Sequence, residues 1–178
     1  MSYTEHQKHG HAVRAHVRVG VLTVSDSRTP LTDDSGKDIE ALAKKAGHEV
    51  SERMVVADDV EKIRAAFESL LRARPDVVLV NGGTGIAPRD VTPEAIRPLL
   101  VKELPGFGER FRALSADQVG TGAWLSRATA GTLARNATTT VVFLLPGSPA
   151  ACRLAVERLI LPELSHVVSL AQGVRPDA

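Results

Sequence analysis

The chain has 178 residues, of which 43% are hydrophobic, enough for one well-filled core and too few for two comfortable domains. Its 22 basic and 21 acidic residues leave a net charge of +1, so it lacks the basic footprint that a general nucleic-acid-binding protein normally shows. The single cysteine, Cys152, excludes an internal disulfide framework and fits a reducing compartment.

The first 14 residues are polar and contain no apolar run of the kind that a signal peptide carries. The longest apolar runs, such as VVFLL at 141–145, have the length of strands and are too short to cross a bilayer. We therefore expect a cytoplasmic protein without a membrane span. Four of the six histidines lie in the opening segment and are compatible with a metal site, namely His6, His9, His11 and His16. A flexible arm over residues 1–14 is the favoured interpretation, because polar termini are usually poorly ordered.

The first structured segment is predicted to be a strand followed by a helix. In residues 16–25 valines alternate and then give way to a continuous apolar run, which indicates a strand covered on both faces. The helical pattern KDIEALAKKAG follows a polar loop, with Ser35 as the expected N-cap and Gly47 as the terminating residue. Residues 48–56 then predict a second, more exposed strand.

Two aspartates precede the next helical pattern, VEKIRAAFESLLRA, and either Asp58 or Asp59 is expected to cap that helix. The run VVLV at 77–80 predicts a short buried strand that leads directly into the sequence NGGTG. A further helix is expected after this loop, with Thr92 as its N-cap and Pro93 as its first residue.

The segments PGFGERFRALS and WLSRATAGTLA predict a loop-rich, helical middle section. Residues 138–146 then predict another apolar strand, which ends in the sequence PGSP. An amphipathic helix is expected from about Ala150, with an interruption near Pro162. Cys152 lies on this helix, where a buried structural thiol is the favoured interpretation.

The alternation of strands and helices predicts a single α/β domain over residues 15–178. It is a three-layer fold in which helices cover both faces of a mainly parallel sheet. In such sheets ligands bind outside the carboxyl ends of the strands. Three strands end in loops rich in Gly, Ser or Asp, namely VSDS, VNGGTG and PGSP, so we expect these loops to converge on one cleft.

The glycine-rich loop is the strongest local indication of function. Gly82, Gly83 and Gly85 permit a tight turn that points backbone N–H groups at a ligand, an arrangement suited to phosphate oxygens. An ordinary tight turn between strand and helix is the alternative. The loop matches neither the dinucleotide-binding pattern G-x-G-x-x-G nor the lysine-containing P-loop, which disfavours those two classes.

Acidic residues near this loop suggest a cation. An aspartate beside a phosphate cradle would repel the ligand unless a cation lies between them, so Asp90 argues for Mg²⁺, with Asp58 as a second carboxylate. The alternatives are a salt bridge from Asp90 to Arg89 and a helix-capping role for Asp58. Ser25 and Asp26 belong to the same sheet edge, and the expected helix N-terminus at Ser148 favours an anion.

Several short motifs occur together in order and at spacings typical of one protein family: SDS at 25–27, DDSG at 33–36, NGGTGIAPRDVTPEA at 81–95, PGFGE at 105–109, SRATAG at 126–131 and LPGSPAACR at 145–153. Together they closely resemble the MoaB/MogA family of molybdenum cofactor biosynthesis proteins, over nearly all of residues 17–170. The resemblance implies a compact α/β fold. It also implies the activity of the family's adenylyltransferases, which join molybdopterin to AMP from Mg-ATP.

The resemblance assigns expected roles to individual residues. Asp58 and Asp90 match the functional aspartates, expected to be catalytic and to bind Mg²⁺. The residues expected to bind substrate or nucleotide are Ser25, Asp26, Gly82, Gly83, Thr84, Gly85, Arg89, Gly106, Ser126, Pro146, Gly147 and Ser148. The length after the PGSP loop is similar to that of the shorter MoaB branch, in which some members have lost the RDVTP residues. This chain retains them.

The resemblance also bears on alternatives and partners. A molybdopterin-binding or assembly protein without catalytic activity is the alternative function. The expected partners are molybdopterin, ATP and further copies of the chain, as a hexamer made of trimers or as a trimer. Other molybdenum cofactor enzymes are also possible partners, and neither nucleic acid nor a membrane is expected.

Overall fold

The computed structural model describes residues 16–135 and 138–173. The flexible arm predicted over residues 1–14 lies outside this part of the chain. Within it, no helix is both long enough and apolar enough to span a bilayer.

One six-stranded sheet forms the centre of the molecule, with the strands in the order β2-β1-β3-β6-β5-β4. The strands are β1 Arg18–Val24, β2 Glu49–Val56, β3 Val77–Asn81, β4 Lys102–Glu103, β5 Thr129–Arg135 and β6 Thr138–Leu145. Strands β2, β1, β3 and β6 are parallel, whereas at one edge β5 pairs antiparallel with β6 and β4 pairs antiparallel with β5. The predicted mainly parallel sheet is therefore confirmed.

Helices connect the strands and cover the sheet. They are α1 Asp34–Lys45, α2 Val60–Arg72, α3 Thr92–Ile96, α4 Pro105–Val119, α5 Pro149–Ala155 and α6 Leu161–Ala171. Short 3₁₀ segments span Arg97–Leu99 and Gly120–Leu125, and a π-helical segment spans Val156–Ile160. The fold is the predicted single-domain, three-layer α/β architecture.

Two apolar cores lie on opposite faces of the sheet because successive side chains of a strand point to opposite sides. Val77 and Leu79 of β3 belong to the core beneath α1, α4, α5 and α6. Val78 and Val80 belong to the second core, where α2 contributes its buried face with Phe67. The continuous apolar run of β3 is thus explained by burial on both sides.

The first helix begins differently from the prediction. Asp33, not Ser35, is its N-cap, and the Asp33 carboxylate accepts a 2.9 Å hydrogen bond from the Gly36 N–H. The Ser35 hydroxyl instead donates to the Gly147 carbonyl at 2.8 Å, a contact with a loop 112 residues away that local spacing does not reveal. The predicted termination at Gly47 is confirmed by its left-handed φ of 86°.

The predicted helical character of WLSRATAGTLA is wrong for most of that segment. Thr129–Arg135 forms strand β5, which pairs antiparallel with Thr138–Leu145. Pairing with an apolar neighbouring strand outweighs the local pattern, because strand formation depends strongly on tertiary context. The preceding segment PGFGERFRALS does form a helix, α4.

The interruption predicted near Pro162 is confirmed. The π-helical segment Val156–Ile160 separates α5 from α6, and Pro162 lies in the first turn of α6. Proline lacks an N–H group, so the chain cannot keep regular helical hydrogen bonding there. Cys152 on α5 is fully buried, as predicted, and burial raises the pKa of its thiol to about 12.

Candidate functional site

Three loops meet at the carboxyl ends of β1, β3 and β6, which are neighbours in the parallel part of the sheet. They enclose an open cavity of about 440 Å³, together with residues of the segments before α2 and before β5. The lining residues are Val24, Ser25, Asp26, Ser27, Asp58, Gly82, Gly83, Thr84, Gly85, Arg89, Asp90, Leu125, Ser126, Pro146 and Gly147. The predicted convergence of the three loops is confirmed.

The glycine-rich loop depends on glycine at two positions. Gly82 and Gly83 have φ values of 96° and 61°, in the left-handed region that side chains disfavour. A Cβ atom on Gly83 would also lie 2.9 Å from Oδ1 of Asp58 and still closer to Oγ1 of Thr92. The loop therefore brings bare backbone against the first of the two predicted functional aspartates.

Thr92 holds this loop from behind. The prediction that Thr92 caps α3 is wrong, since Val91 occupies the N-cap position without a side-chain hydrogen bond. The Thr92 hydroxyl is fully buried and donates to the Gly82 carbonyl at 2.8 Å, while the Thr92 N–H donates to the Gly83 carbonyl at 3.1 Å. These two bonds pull successive carbonyls of the loop toward α3.

A buried polar chain lies beneath the loop. The Asn81 side chain, fully buried at the end of β3, donates to the Thr23 hydroxyl at 2.9 Å, and that hydroxyl donates to the Asp33 carboxylate. Arg53 completes the chain with a 2.9 Å ion pair to Asp33, which is itself 1% exposed. The network ties β1, β3 and the N-terminus of α1 together directly under the cavity.

Asp58 lies in a strongly acidic environment. Its backbone N–H donates to Oδ1 of Asp26 at 3.1 Å. Burial raises the pKa of Asp58 most, and the negative charges of Asp26 and Asp90 raise it further, whereas a backbone hydrogen bond from Asp26 and the positive charge of Arg89 lower it. The alternative that Asp58 caps α2 is wrong, because Asp59 performs that role through a 2.9 Å bond from the Lys62 N–H.

Asp90 approaches the other end of the glycine-rich loop. A Cβ atom on Gly85 would lie 2.6 Å from Oδ2 of Asp90, and the same oxygen accepts a 2.8 Å hydrogen bond from the Ala87 N–H. Among the residues that the structure describes, no ion pair joins Asp90 to Arg89, so the salt-bridge alternative is wrong. The carboxylate belongs to the loop and the cavity.

The donor set of the cavity bears on the expected Mg²⁺. Over residues 16–135 and 138–173, no group of three or more His, Cys, Asp or Glu side chains is placed to hold a metal ion. Magnesium commonly uses only one or two carboxylates and completes its shell with water and phosphate oxygens. Asp58 and Asp90 fit that smaller donor set, and a cation bound there would offset part of the repulsion between the carboxylates.

Two of the predicted binding residues lie outside this cavity. Gly106 borders a separate, apolar cavity with Phe107 and Phe143. Ser148 borders a smaller neighbouring cavity, and its hydroxyl accepts a 3.2 Å hydrogen bond from the Ala151 N–H as the N-cap of α5. Every other predicted site residue lines the main cavity.

Sequence reasoning did not single out Arg127, which donates to the carbonyls of Thr84 and Gly85 in the glycine-rich loop and to the carbonyl of Asp90. The only available signal was its position next to Ser126 within the motif SRATAG. Leu125 was also missed, although it lines the cavity beside Ser126.

The chain is similar in sequence and fold to known proteins. Residues 20–166 match the family described as a probable molybdopterin binding domain. The chain is 49% identical over 169 residues to molybdenum cofactor biosynthesis protein B of Bacillus anthracis, covering 94% of this chain and 96% of that one.

Two solved structures are similar in fold and sequence. A crystal structure of a molybdenum cofactor biosynthesis protein B superimposes with a TM-score of 0.82 at 48% identity, over 89% of this chain and 97% of that one. The tungsten cofactor synthesizing protein MoaB from Pyrococcus furiosus superimposes with a TM-score of 0.81 at 38% identity, over 88% and 98% of the two chains.

Proposed function

The chain belongs to the MoaB/MogA family of molybdenum cofactor biosynthesis proteins, and on that premise we propose that it transfers an adenylyl group from ATP to the terminal phosphate of molybdopterin in the cytoplasm. The observation that carries the proposal is the cavity itself. It combines the backbone of Gly82–Gly85 with the carboxylates of Asp58 and Asp90, at the sheet edge where α/β proteins bind ligands.

The reaction joins two anions. A phosphate oxygen of molybdopterin attacks the α-phosphorus of ATP, and the bond from that phosphorus to the bridging oxygen breaks as pyrophosphate leaves. A phosphomonoester is largely ionised near neutral pH, since its second pKa is about 6, so the attacking oxygen needs no general base. The protein must instead orient the two substrates and offset their repulsion.

The glycine-rich loop is suited to orientation. The carbonyl groups of Gly82 and Gly83 accept hydrogen bonds from Thr92, which fixes the position of the loop. The loop has no side chain at Gly82, Gly83 or Gly85 to keep a phosphate away, so the substrate can approach its backbone closely. Backbone N–H groups that face a bound phosphate would stabilise charge that develops in the transition state.

Asp58 and Asp90 are the residues that would hold Mg²⁺. When bound, the ion would neutralise phosphate charge and stabilise the leaving pyrophosphate. Asp26 positions Asp58 by accepting its backbone N–H, and Arg89 adds a positive charge near the same carboxylate. Both aspartates would therefore matter more in the transition state than in substrate binding.

We also propose that the protein assembles with copies of itself, as a hexamer made of trimers or as a trimer. Apolar side chains remain exposed away from the cavity, with Val101 at 65% and Leu170 at 56% exposure. The apolar cavity lined by Leu104, Phe107 and Phe143 is a further surface that a neighbouring copy could cover.

Product analysis tests the catalytic proposal directly. Purified protein is incubated with molybdopterin, ATP and Mg²⁺, and both adenylyl-molybdopterin and pyrophosphate are quantified. Equal formation of the two products supports adenylyl transfer. Binding of molybdopterin without either product would identify a non-catalytic binding or assembly protein, and pyrophosphate release without adenylyl-molybdopterin would indicate a different phosphorylated substrate.

A further inference from the structure

The glycine-rich loop and Asp90 are both held by one side chain outside the cavity, that of Arg127. The Arg127 guanidinium donates through Nε to the Gly85 carbonyl at 2.7 Å and through Nη2 to the Asp90 carbonyl at 2.6 Å. Its third nitrogen, Nη1, forms an ion pair with Glu94 of α3. The planar fork of arginine can hold these three oxygens at once, which a lysine ammonium on its flexible stem does not reproduce.

The backbone of Arg127 adds a fourth bond to the same loop. Its N–H donates to the Thr84 carbonyl at 2.9 Å. The consecutive carbonyls of Thr84 and Gly85 are therefore both directed toward Arg127. In a planar trans peptide the C=O and N–H groups point in opposite directions, so the N–H groups of Gly85 and Ile86 are directed away from Arg127.

Arg127 itself is fixed by the neighbouring helix. Arg112 of α4 donates through Nη1 to the carbonyls of Ser126 and Ala128, at 3.3 Å and 3.2 Å. The two residues that flank Arg127 are thus attached to α4, while its side chain reaches across to the loop. The segment Ser126–Ala128 consequently links α4 to the glycine-rich loop.

Arg127 does not line the main cavity. It borders a different depression behind the loop, with Ile86, Pro88 and Val91. A ligand in the main cavity would contact the loop and Asp90 but not the guanidinium. We therefore expect Arg127 to influence the reaction through the backbone that it holds.

We propose that Arg127 is a positioning residue that holds the Thr84–Gly85 backbone and the Asp90 backbone in the geometry required for the adenylyl transfer. Its role in turnover rests on the proposed function, whereas its role in holding the loop does not. Displacement of reacting groups by about 1 Å can cost about 100-fold in rate. We expect a loss of that size in kcat when the fork is removed.

The deciding variant is Arg127→Lys, which keeps the positive charge and loses the fork. Glu94→Gln removes the ion pair and leaves the three backbone bonds of Arg127 intact. Arg135→Lys is the matched control, because Arg135 makes an ion pair with Glu68 at the end of β5 remote from the cavity. We expect a large loss of kcat only in Arg127→Lys, with melting temperatures similar among all three variants.

Chemical rescue separates positioning from stability. Low millimolar guanidinium ion should restore part of the activity of Arg127→Ala, whereas a merely destabilised variant would not be rescued by a denaturant ion. Should Arg127→Ala fail to fold, Arg127→Lys alone decides. Wild-type kcat in Arg127→Lys, or a loss equal to that of Arg135→Lys, would overturn the proposed role in turnover.

Amide hydrogen exchange tests the same idea without substrates. In ligand-free protein, Arg127→Lys should accelerate exchange selectively in peptides covering residues 82–90, with the rest of the sheet unchanged. Unchanged exchange in that segment would overturn the positioning role. If wild-type protein makes no adenylyl-molybdopterin, the proposed function fails, and the exchange experiment still decides whether Arg127 holds the loop.

Discussion

The carboxylate of Asp26 accepts a 3.1 Å hydrogen bond from the backbone N–H of Asp58, which places two acidic residues from different loops beside each other. Asp26 follows β1 and Asp58 follows β2, and these two strands are parallel neighbours. The parallel pairing therefore concentrates negative charge at one edge of the sheet. Repulsion between neighbouring carboxylates lowers the stability of the fold. Such clusters of charge occur mainly at functional sites, so the arrangement indicates a binding or catalytic site.

Neutralising either functional aspartate should separate chemistry from binding. Asp58→Asn and Asp90→Asn keep the side-chain shape and remove the charge proposed to hold Mg²⁺ against the ATP phosphates. Adenylylation should fall by orders of magnitude, while molybdopterin affinity remains close to that of the wild type. Rates and affinities measured on both variants check this, and near-normal rates in both would eliminate the metal-site assignment.

Asp58→Asn should also stabilise the fold at neutral pH. The pKa of Asp58 is raised in the folded state, so the folded protein binds this proton more tightly than the unfolded chain does. The contribution of Asp58 to stability is therefore most favourable below its ordinary pKa of 3.8 and declines as pH rises through the raised value.

The measurement is denaturant unfolding of the wild type and Asp58→Asn at several pH values, in buffer with a chelator and without ATP. The advantage of the variant should grow from pH 4 to pH 7. An advantage that does not change with pH would mean that the carboxylate is not destabilised in the folded protein.

Substitution by alanine should impair the protein at Gly83 but not at Gly106. Gly83 has a φ of 61°, and a Cβ there would collide with Thr92 and Asp58. Left-handed backbone costs other residues about 1–2 kcal/mol, and the collision would displace the loop. We expect Gly83→Ala to lose both stability and ligand affinity.

Gly106→Ala is the matched control, since a Cβ at Gly106 meets nothing within 4 Å and the residue lies outside the main cavity. It should retain turnover. Melting temperature and ATP affinity on the two variants give the comparison, and a strong loss of affinity in Gly106→Ala would restore its predicted binding role.

Ser148→Ala tests whether this serine contacts substrate or only begins a helix. Its hydroxyl caps α5, and loss of such a cap costs about 1 kcal/mol. We expect a melting temperature lower by roughly 2–4 °C, as 1 kcal/mol typically produces in a chain of this size. Turnover per folded molecule should persist, and a large drop in molybdopterin affinity would contradict the capping interpretation.

The assembly state is open to direct measurement. Light scattering at micromolar protein concentration should give the mass of a hexamer or of a trimer. Val101 and Leu170 are exposed, and covering their apolar surface with a neighbouring copy would favour association. A charged substitution at Leu104, beside the apolar cavity, should shift the protein toward smaller species. A wild-type protein that is monomeric under these conditions would refute the proposal.

The features of this protein that depend on local chemistry could be predicted from the residues alone. Continuous apolar runs such as VVLV at 77–80 indicated strands buried on both faces, and alternation with helical patterns then required a mainly parallel sheet. Parallel strands carry their following loops to one edge, so the convergence of Ser25, Gly83 and Gly147 could be predicted without coordinates.

Features that depend on contacts between distant segments could not be predicted from local patterns. Thr129–Arg135 became a strand because β6 was available to pair with it, and Ser35 lost its expected capping role because Gly147 lies within reach. The contacts of Arg127 likewise depend on its reach to Gly85, 42 residues earlier in the chain. Local patterns specify which bonds a residue can make, whereas chain folding decides which distant partner is close enough to receive them.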